Sequence, residues 1–125
     1  MGYLLPDDNY CLMQYSCLNI LASINEAFGR VIIEAMGYGV PTCTFNDLEA
    51  VPEIYNENVM MLAEKRTDES FSNAIKKALE KSWDKETIIE HSRRFSMDKC
   101  VNNYLDVYRT IINEAGHGEQ DRKDA

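Results

Sequence analysis

Residues 24–41 read INEAFGRVIIEAMGYGVP, and this stretch decides the fold. Its middle is apolar, and the two glycines near its end, with Pro41 after them, are typical of a helix that stops there. The stretch therefore predicts a helix over residues 29–38. Glu34 lies within the apolar run, where a charge without a partner is expensive to bury. We therefore expect this helix to carry one polar stripe that includes Glu34.

Apolar runs of strand length occur on both sides of this helix. Residues 17–23 form one run, and residues 41–45 and 58–62 form two more. Such near-continuous apolar runs are typical of strands covered on both faces, as in parallel sheets. A short helix is expected between the second and third strands. The order predicts an α/β fold with a partial Rossmann-like parallel sheet and right-handed crossovers, followed by C-terminal helices.

The second half of the chain, residues 67–115, has the pattern of amphipathic helices. Asp68 is the expected N-cap of the first helix, and residues 84–95 are expected to form the second, with HSRR at 91–94 facing outward. A long final helix begins near Met97, and we expect its apolar stripe to pack in a core or against another domain. Inward positions are predicted at Phe71, Ala74, Ile75, Ala78, Leu79, Ile88, Ile89 and Phe95, and the stripe comprises Met97, Val101, Tyr104, Leu105, Tyr108, Ile111 and Ile112.

The composition indicates one acidic globular domain. A chain of 125 residues with 45% hydrophobic and 27% charged residues can form a hydrophobic core. Its net charge of −8 argues against a nucleic-acid partner, which would need clustered basic residues. No apolar stretch approaches the roughly 20 residues of a transmembrane span, and we expect no signal peptide because the first residues lack a basic start. We expect a cytoplasmic protein with a domain over residues 1–115 and a flexible polar tail over residues 116–125.

The four cysteines do not have the spacing of a metal site. Cys11, Cys17, Cys43 and Cys100 include no CxxC pair, and only two histidines could join them as nitrogen ligands. Irregular spacing is typical of free thiols in a reducing compartment. We therefore expect no metal site, and we expect Cys17 and Cys43 to be core residues because both lie in apolar runs.

The end of the first predicted strand and the start of the next helix together suit an anion. Ligands of open parallel sheets bind beyond the carboxyl ends of the strands, where first-turn amides carry a partial positive charge. Gly29 would let a ligand approach the backbone closely. Arg30 precedes Glu34, the poorer order for a helical salt bridge, so Arg30 is better explained by an anion. Glu34 and Glu26 could each accept hydrogen bonds from sugar hydroxyls. From spacing alone, a solvated Arg–Glu stripe stays the alternative.

The motif SxxExFGx4EAMxxGVP over residues 23–41 resembles the signature of family 4 (group 1) retaining glycosyltransferases of the GT-B fold. VPEI at residues 51–54 resembles the family's loop after the next strand, and Ser96, Tyr104 and Tyr108 resemble its C-terminal helices. The resemblance covers most of the chain, from Gly2 to Ile112. It implies a domain that binds the nucleotide-sugar donor, the second half of a GT-B C-terminal domain.

The resemblance also implies site roles. The two glutamates would match the family's E-x7-E motif, and no catalytic residue is assigned in this chain. No cofactor or metal ion is expected, since such enzymes stabilise the departing diphosphate with backbone amides and basic residues. The implied site residues are Glu26, Phe28 and Gly29 for the donor sugar, Gly29, Arg30 and Val31 for the diphosphate, and Glu34 for the nucleotide ribose.

The chain departs from the family pattern in two ways. It begins near the third strand of the donor domain, keeping only residues 2–5 of that strand, so the acceptor domain and the basic loops that neutralise the diphosphate are expected to be missing. We expect residues 2–5 to be rearranged or loosely held. Where the family commonly has Gly-Gly, this chain has Glu49-Ala50, which adds bulk and negative charge near the expected diphosphate.

Two hypotheses of function result. In the first, the chain is a donor-domain fragment that binds a nucleotide sugar and is inactive alone, reaching a membrane surface only through the missing acceptor portion. In the second, it is a non-catalytic interaction module that keeps the fold. The strand at residues 17–23 would form an unpaired sheet edge, where a complementary glycosyltransferase half or a second copy could associate.

Overall fold

A computed structural model describes the backbone of residues 5–120 and the side chains of residues 5–113. The chain divides into two compact units, Met1–Arg93 and Arg94–Ala125. A 3₁₀ turn, Arg93–Phe95, spans the boundary. In chain order the elements are α1 (Pro6–Gln14), β1 (Asn19–Ile20), α2 (Arg30–Gly37), β2 (Thr42–Phe45), α3 (Val51–Ile54), β3 (Met60–Ala63), α4 (Asp68–Glu80), α5 (Lys85–Ser92) and α6 (Met97–Gln120).

The three strands form one parallel sheet in the order β1-β2-β3. Asn19 aligns with Thr42, and Thr42 aligns with Met60. This sheet and the helices that follow it confirm the predicted α/β, partial Rossmann-like fold. The first strand is shorter than the predicted run over residues 17–23. Its hydrogen bonding to β2 ends at Leu21, whose N–H donates to Cys43 O at 3.0 Å.

The central strand β2 is buried along its whole length, although half of it is threonine. Asn19 Nδ2 donates to Thr42 Oγ1 at 3.0 Å, and the Thr44 hydroxyl donates to Leu21 O at 2.8 Å. Buried hydroxyls are costly unless they are hydrogen-bonded, and both of these are. The two bonds also hold the short strand β1 and the residue after it against β2.

Helix α4 covers one side of the sheet and packs against β2 and β3. The two alanines that it buries allow a close approach of helix and strand. Helix α2 packs against β2 and α5; it buries three side chains, and α5 buries Ile88. The cluster under α4 comprises Cys43, Phe45, Ala63, Ala74 and Ala78, with Leu18, Met61, Phe71, Ile75 and Trp83 packed around it.

The helices after the sheet correct three predictions. Thr67, not Asp68, caps α4, because its hydroxyl accepts from Ser70 N–H at 3.2 Å. Leu79 was predicted to face inward and is exposed. His91 was predicted to face outward; instead it is half-buried, and its Nε2 lies 2.9 Å from Ile54 O.

Helix α1 was not predicted. Pro6 stands at its first position and two aspartates occupy its first turn, which are ordinary helix-start signals. Its face is weakly apolar and none of its residues is buried, so the periodicity that reveals packed helices is missing. Of the predicted strand remnant at residues 2–5, residues 2–4 lie outside the described part of the chain. Cys17 is exposed, so its assignment to the core was wrong.

The second unit contains α6. The apolar side chains of the stripe from Met97 to Ile112 are exposed, and the expectation that the stripe packs in a core or against another domain stays a prediction. The helix continues past Gly116 to Gln120, and residues 121–125 of the expected tail lie outside the described residues. Within the described part, no helix is long and apolar enough to cross a membrane.

Candidate functional site

The loops that follow the three strands lie at one edge of the sheet, because parallel strands all end on the same side. These loops cover residues 21–29, 46–50 and 64–67. Each leads into a helix, α2, α3 and α4 in turn, so three helix N-termini begin at this edge. The predicted site residues all belong to the first of these loops and to α2.

Gly29 is the N-cap of α2, in the left-handed conformation with φ 71° and ψ 43°. Its carbonyl accepts the first helical bond, from Ile32 N–H at 2.9 Å. A Cβ at this position would lie 3.1 Å from Ala50 Cβ and 3.3 Å from Ile54 Cδ1. Both the backbone conformation and the close approach of α2 to α3 therefore require glycine. The glycine is thus explained by its conformation and by packing against α3, and the close approach of a ligand to its backbone stays a prediction.

Glu26 closes the loop before the helix. Its Oε1 accepts from Gly29 N–H at 3.1 Å, and the residue is half-buried. The sequence predicted a carboxylate near the helix start but not this bond, which fixes the last turn of the loop. A carboxylate has about four lone-pair positions, so one bond leaves most of its acceptor capacity for hydroxyl groups.

Arg30 and Glu34 form an ion pair one turn apart, with Nη2 and Oε1 separated by 3.6 Å. The Arg30 side chain is 82% exposed and that of Glu34 is 36% exposed. Glu34 thus lies on a polar stripe beside the buried face of α2, and the cost of a buried charge is avoided. An exposed pair in this order contributes about 0.5 kcal/mol or less. Exchanging this partner for a ligand would therefore cost little.

Phe28 and Val31 complete the predicted set. Phe28 is exposed just before the helix, and Val31 is half-buried in its first turn. The amides of Arg30 and Val31 precede the first helical bond, so they are first-turn donors without an intrahelical acceptor. The structure therefore places these residues together at the N-terminus of α2.

The loop after β2 carries the two residues that depart from the family pattern. Ala50 is buried, with its methyl group against the Cα side of Gly29, so its added bulk fills the contact between α2 and α3. Glu49 is exposed. Of these two residues, only Glu49 lies on the surface, and it places its negative charge at this edge of the sheet.

Arg66, which sequence reasoning missed, links the loops of all three strands. From the loop after β3, its Nε donates to Asp47 Oδ2 at 2.8 Å. Its Nη1 donates to Ser23 O at 3.1 Å, and its Nη2 donates to Ile24 O at 3.4 Å. A basic residue just beyond a parallel strand is the signal that could have suggested it, since ligand and loop contacts concentrate there.

The sequence model of the family described as "Glycosyl transferases group 1" matches residues 1–96, which is most of the chain. The chain belongs to the group 1 glycosyl transferases. The matched span includes the whole sheet, the loop with Glu26, helix α2 and the loop with Arg66. Helix α6 begins just beyond it. A comparison with curated proteins gave no match.

Among residues 5–113 of this group 1 glycosyl transferase, no group of three or more His, Cys, Asp or Glu side chains is placed to hold a metal ion. Burial raises the pKa of the Cys43 thiol to about 11, so it stays neutral. A neutral, buried thiol is a packing residue and not a nucleophile. At the start of α2, the polar groups that a ligand could meet include Glu26, Arg30, Glu34 and the first-turn amides.

Proposed function

We propose that this chain binds the nucleotide-sugar donor of a retaining, family 4 glycosyltransferase of the GT-B fold. The observation that carries the proposal is the N-terminus of α2, where left-handed Gly29 is the N-cap and Glu26 and Arg30 lie on either side of it in the sequence. It lies where open parallel sheets bind their ligands. The family membership of the chain supports transferase chemistry.

The diphosphate is assigned to the first turn of α2. The amides of Arg30 and Val31 point out of the helix start, and the helix dipole adds a partial positive charge there. The guanidinium of Arg30 is exposed and holds Glu34 only loosely. A phosphate oxygen would give Arg30 a shorter, charge-assisted hydrogen bond than its present 3.6 Å contact. The sum of these interactions favours a doubly charged ligand at Gly29.

The two glutamates are assigned to hydroxyl groups on either side of the diphosphate. Glu26 lies before the helix with acceptor capacity to spare, and we assign the donor sugar to it and to Phe28. Glu34 lies one turn into the helix, and we assign the nucleotide ribose to it. Its two oxygens can accept from both ribose hydroxyls, which is the geometry that a cis diol offers.

Transfer also needs an acceptor-binding surface and basic groups that stabilise the departing diphosphate. We propose that another polypeptide segment supplies these, that the enzyme is cytoplasmic, and that the reaction needs no metal ion. On its own, the chain would bind a donor weakly and transfer nothing. Glu49 would weaken diphosphate binding further, because its exposed charge repels phosphate.

The test is an NMR titration of the protein with UDP, GDP and ADP and with UDP-glucose, GDP-mannose and ADP-glucose at millimolar concentration. We expect one nucleoside diphosphate and its nucleotide sugar to shift the amide signals of Gly29, Arg30 and Val31. Glu34→Gln should weaken binding by about 10-fold, as expected for a lost bond to a charged group. The matched control is Glu90→Gln, which alters the Glu90–Arg93 pair, a second exposed Arg–Glu pair at the C-terminal end of α5.

Glu26→Gln distinguishes contacts to the donor sugar from contacts to the nucleotide. It should weaken the nucleotide sugar more than the corresponding nucleoside diphosphate, because the proposed contact is to the sugar. Absence of any shift at the start of α2 with all six compounds would refute the proposal. Equal losses in Glu34→Gln and Glu90→Gln would refute the assignment of the ribose.

An interaction module is the second candidate, favoured by the exposed edge of the sheet. Within residues 5–120, β1 pairs only with β2, and Ile20 on this strand is half exposed. An unpaired apolar edge is a template for strand addition by a second chain. Multi-angle light scattering should then show a dimer that Ile20→Lys dissociates. A strictly monomeric protein would exclude self-association through this edge.

A further inference from the structure

We propose that Arg66 is a positioning residue that fixes the loop over residues 22–28, and through it Glu26, by joining the ends of all three strands. The three nitrogens of its guanidinium reach three acceptors on two other loops, Asp47, Ser23 and Ile24. These residues lie 19 to 43 positions away in the sequence. One side chain therefore connects the three loops at the proposed donor-binding edge.

The guanidinium of Arg66 is occupied by contacts within the protein. Its charge is balanced by Asp47 at 2.8 Å, and its plane lies over the Phe45 ring at 4.5 Å from the centroid. Its side chain is 29% exposed, whereas that of Arg30 is 82% exposed. The planar fork of an arginine suits simultaneous bonds of this kind, which a lysine cannot make. Arg66 therefore holds loops together, while Arg30 is the arginine with a free side for an anion.

The backbone that carries Arg66 is itself fixed. Thr67 caps α4 by accepting from Ser70 N–H, and the Ser70 hydroxyl accepts from Lys65 N–H at 3.2 Å. Thr67 N–H donates to Lys65 O at 2.9 Å. Arg66 thus projects from a turn held by reciprocal bonds, so its side chain starts from a defined direction.

Residues 22–25 of the loop that Arg66 holds make few other hydrogen bonds. Strand β1 has only two residues, and its bonding to β2 ends at Leu21. Among the described residues, the hydrogen bonds that residues 22–25 make are those that Ser23 O and Ile24 O accept from Arg66. The next restraint is the bond from Gly29 N–H to Glu26. Without Arg66, residues 22–25 would be held at their ends only.

The consequence for the donor rests on the proposed function. If Glu26 binds the donor sugar, a looser loop lets that carboxylate leave its place, while Arg30, Val31 and Glu34 stay on the helix. Loss of Arg66 should then weaken a nucleotide sugar more than a nucleoside diphosphate. The loop restraint itself can be measured without any ligand.

The experiment is amide hydrogen exchange of the full chain, read by NMR at residues 24–29 and centrally at Gly29 N–H, which reports its bond to Glu26. Arg66→Met keeps the length of the side chain and removes the fork. It should speed exchange at Gly29 by about 10-fold or more, as expected for the loss of one or more charge-assisted bonds. Arg66→Lys should not restore protection. Arg109→Met is the control, since it removes an equal charge from the exposed Arg109–Asp106 pair on α6.

Unchanged exchange at Gly29 in a folded Arg66→Met protein would overturn the proposal, as would full rescue by lysine. Should Arg66→Met not fold, Asp47→Asn tests the same network, because it removes the negative charge that balances Arg66; a few-fold acceleration at Gly29 supports the proposal and no change overturns it. Faster exchange in a protein that binds none of the six nucleotides would refute the proposed donor function and leave the loop restraint standing.

Discussion

Gly29→Ala is the substitution with the clearest expected effect, because two independent constraints meet at this residue. The first is the backbone conformation. At φ 71° and ψ 43°, a residue with a Cβ is strained, and for an L-residue the left-handed region costs about 1–2 kcal/mol. The second constraint is space, since a Cβ would lie 3.0 Å from Ile32 Cδ1, 3.1 Å from Ala50 Cβ and 3.3 Å from Ile54 Cδ1.

The expected loss in the free energy of unfolding is the sum of these two costs minus one stabilising effect on the unfolded chain. Overpacking a filled contact costs about 1–3 kcal/mol, and the buried methyl group of Ala50 has little room to move. Replacing glycine by alanine also restricts the unfolded chain, which returns about 0.4–1 kcal/mol. The net loss in the free energy of unfolding is therefore about 3 kcal/mol. For a unit of this size, the corresponding fall in Tm is about 15 °C.

The assay is urea denaturation followed by the fluorescence of Trp83, the single tryptophan, which packs against the core cluster under α4. Gly37→Ala is the matched control. Gly37 ends the same helix, its φ is not positive, and a Cβ there would meet nothing within 4 Å. We expect this control to be neutral or more stable by up to about 1 kcal/mol. If Gly29→Ala loses less than about 0.5 kcal/mol, the ordinary range for a surface change, the reasoning about Gly29 is refuted.

Three further predictions concern the helices and the core. Thr67→Ala should lower the free energy of unfolding by about 1 kcal/mol through loss of the α4 cap, whereas Ser72→Ala, an exposed hydroxyl on the same helix, should change it by less than about 0.5 kcal/mol in the same urea assay. With a thiol reagent at pH 8, the native protein should show three reactive cysteines, and Cys43 should react only after unfolding. Because burial raises the pKa of Cys43 from 9.0 to about 11, its contribution to the free energy of unfolding is fully present below pH 9.0 and should be lost as the pH rises towards 11. The Thr87 hydroxyl, and after it the amide of Glu86, lower the pKa of Asp84, so its contribution is present above its ordinary pKa of 3.8 and is lost as the pH falls below it; Asp84→Asn should flatten this acid limb of the stability curve, and an unchanged limb would contradict the assignment.

Helix α2 was predicted nearly to the residue because local sequence signals mark both of its ends. Glycine and proline punctuate its end, and its apolar run is longer than a loop would carry. The strand at residues 17–23 was predicted too long, because an apolar run shows burial but not where pairing stops. Helix α1 was missed for the converse reason, since it buries nothing and has no apolar periodicity to detect.

The contacts between loops were beyond sequence reasoning. The bonds of Arg66 join residues up to 43 positions apart, and no local pattern specifies which carbonyl lies within reach of a side chain. Glu26 was predicted as a site residue from a motif, but its bond to Gly29 depends on the turn that the loop adopts. The apolar stripe of α6 shows the same limit, since its periodicity predicts packing but does not specify the surface against which the helix would pack.

The two arginines at the sheet edge differ in what an incoming anion would have to displace, and this difference bears on the order of Arg30 and Glu34. An anion at Arg66 would compete with a 2.8 Å bond to Asp47 and with two carbonyls. An anion at Arg30 would compete with one 3.6 Å contact on an exposed surface. The pair is weak because a cation near a helix N-terminus opposes the dipole. A pair built for stability would have the reverse order, with the acid first. The order found here keeps a guanidinium beside first-turn amides at almost no cost to the fold, and under the proposed function this arrangement gains more energy from a bound anion than from the ion pair.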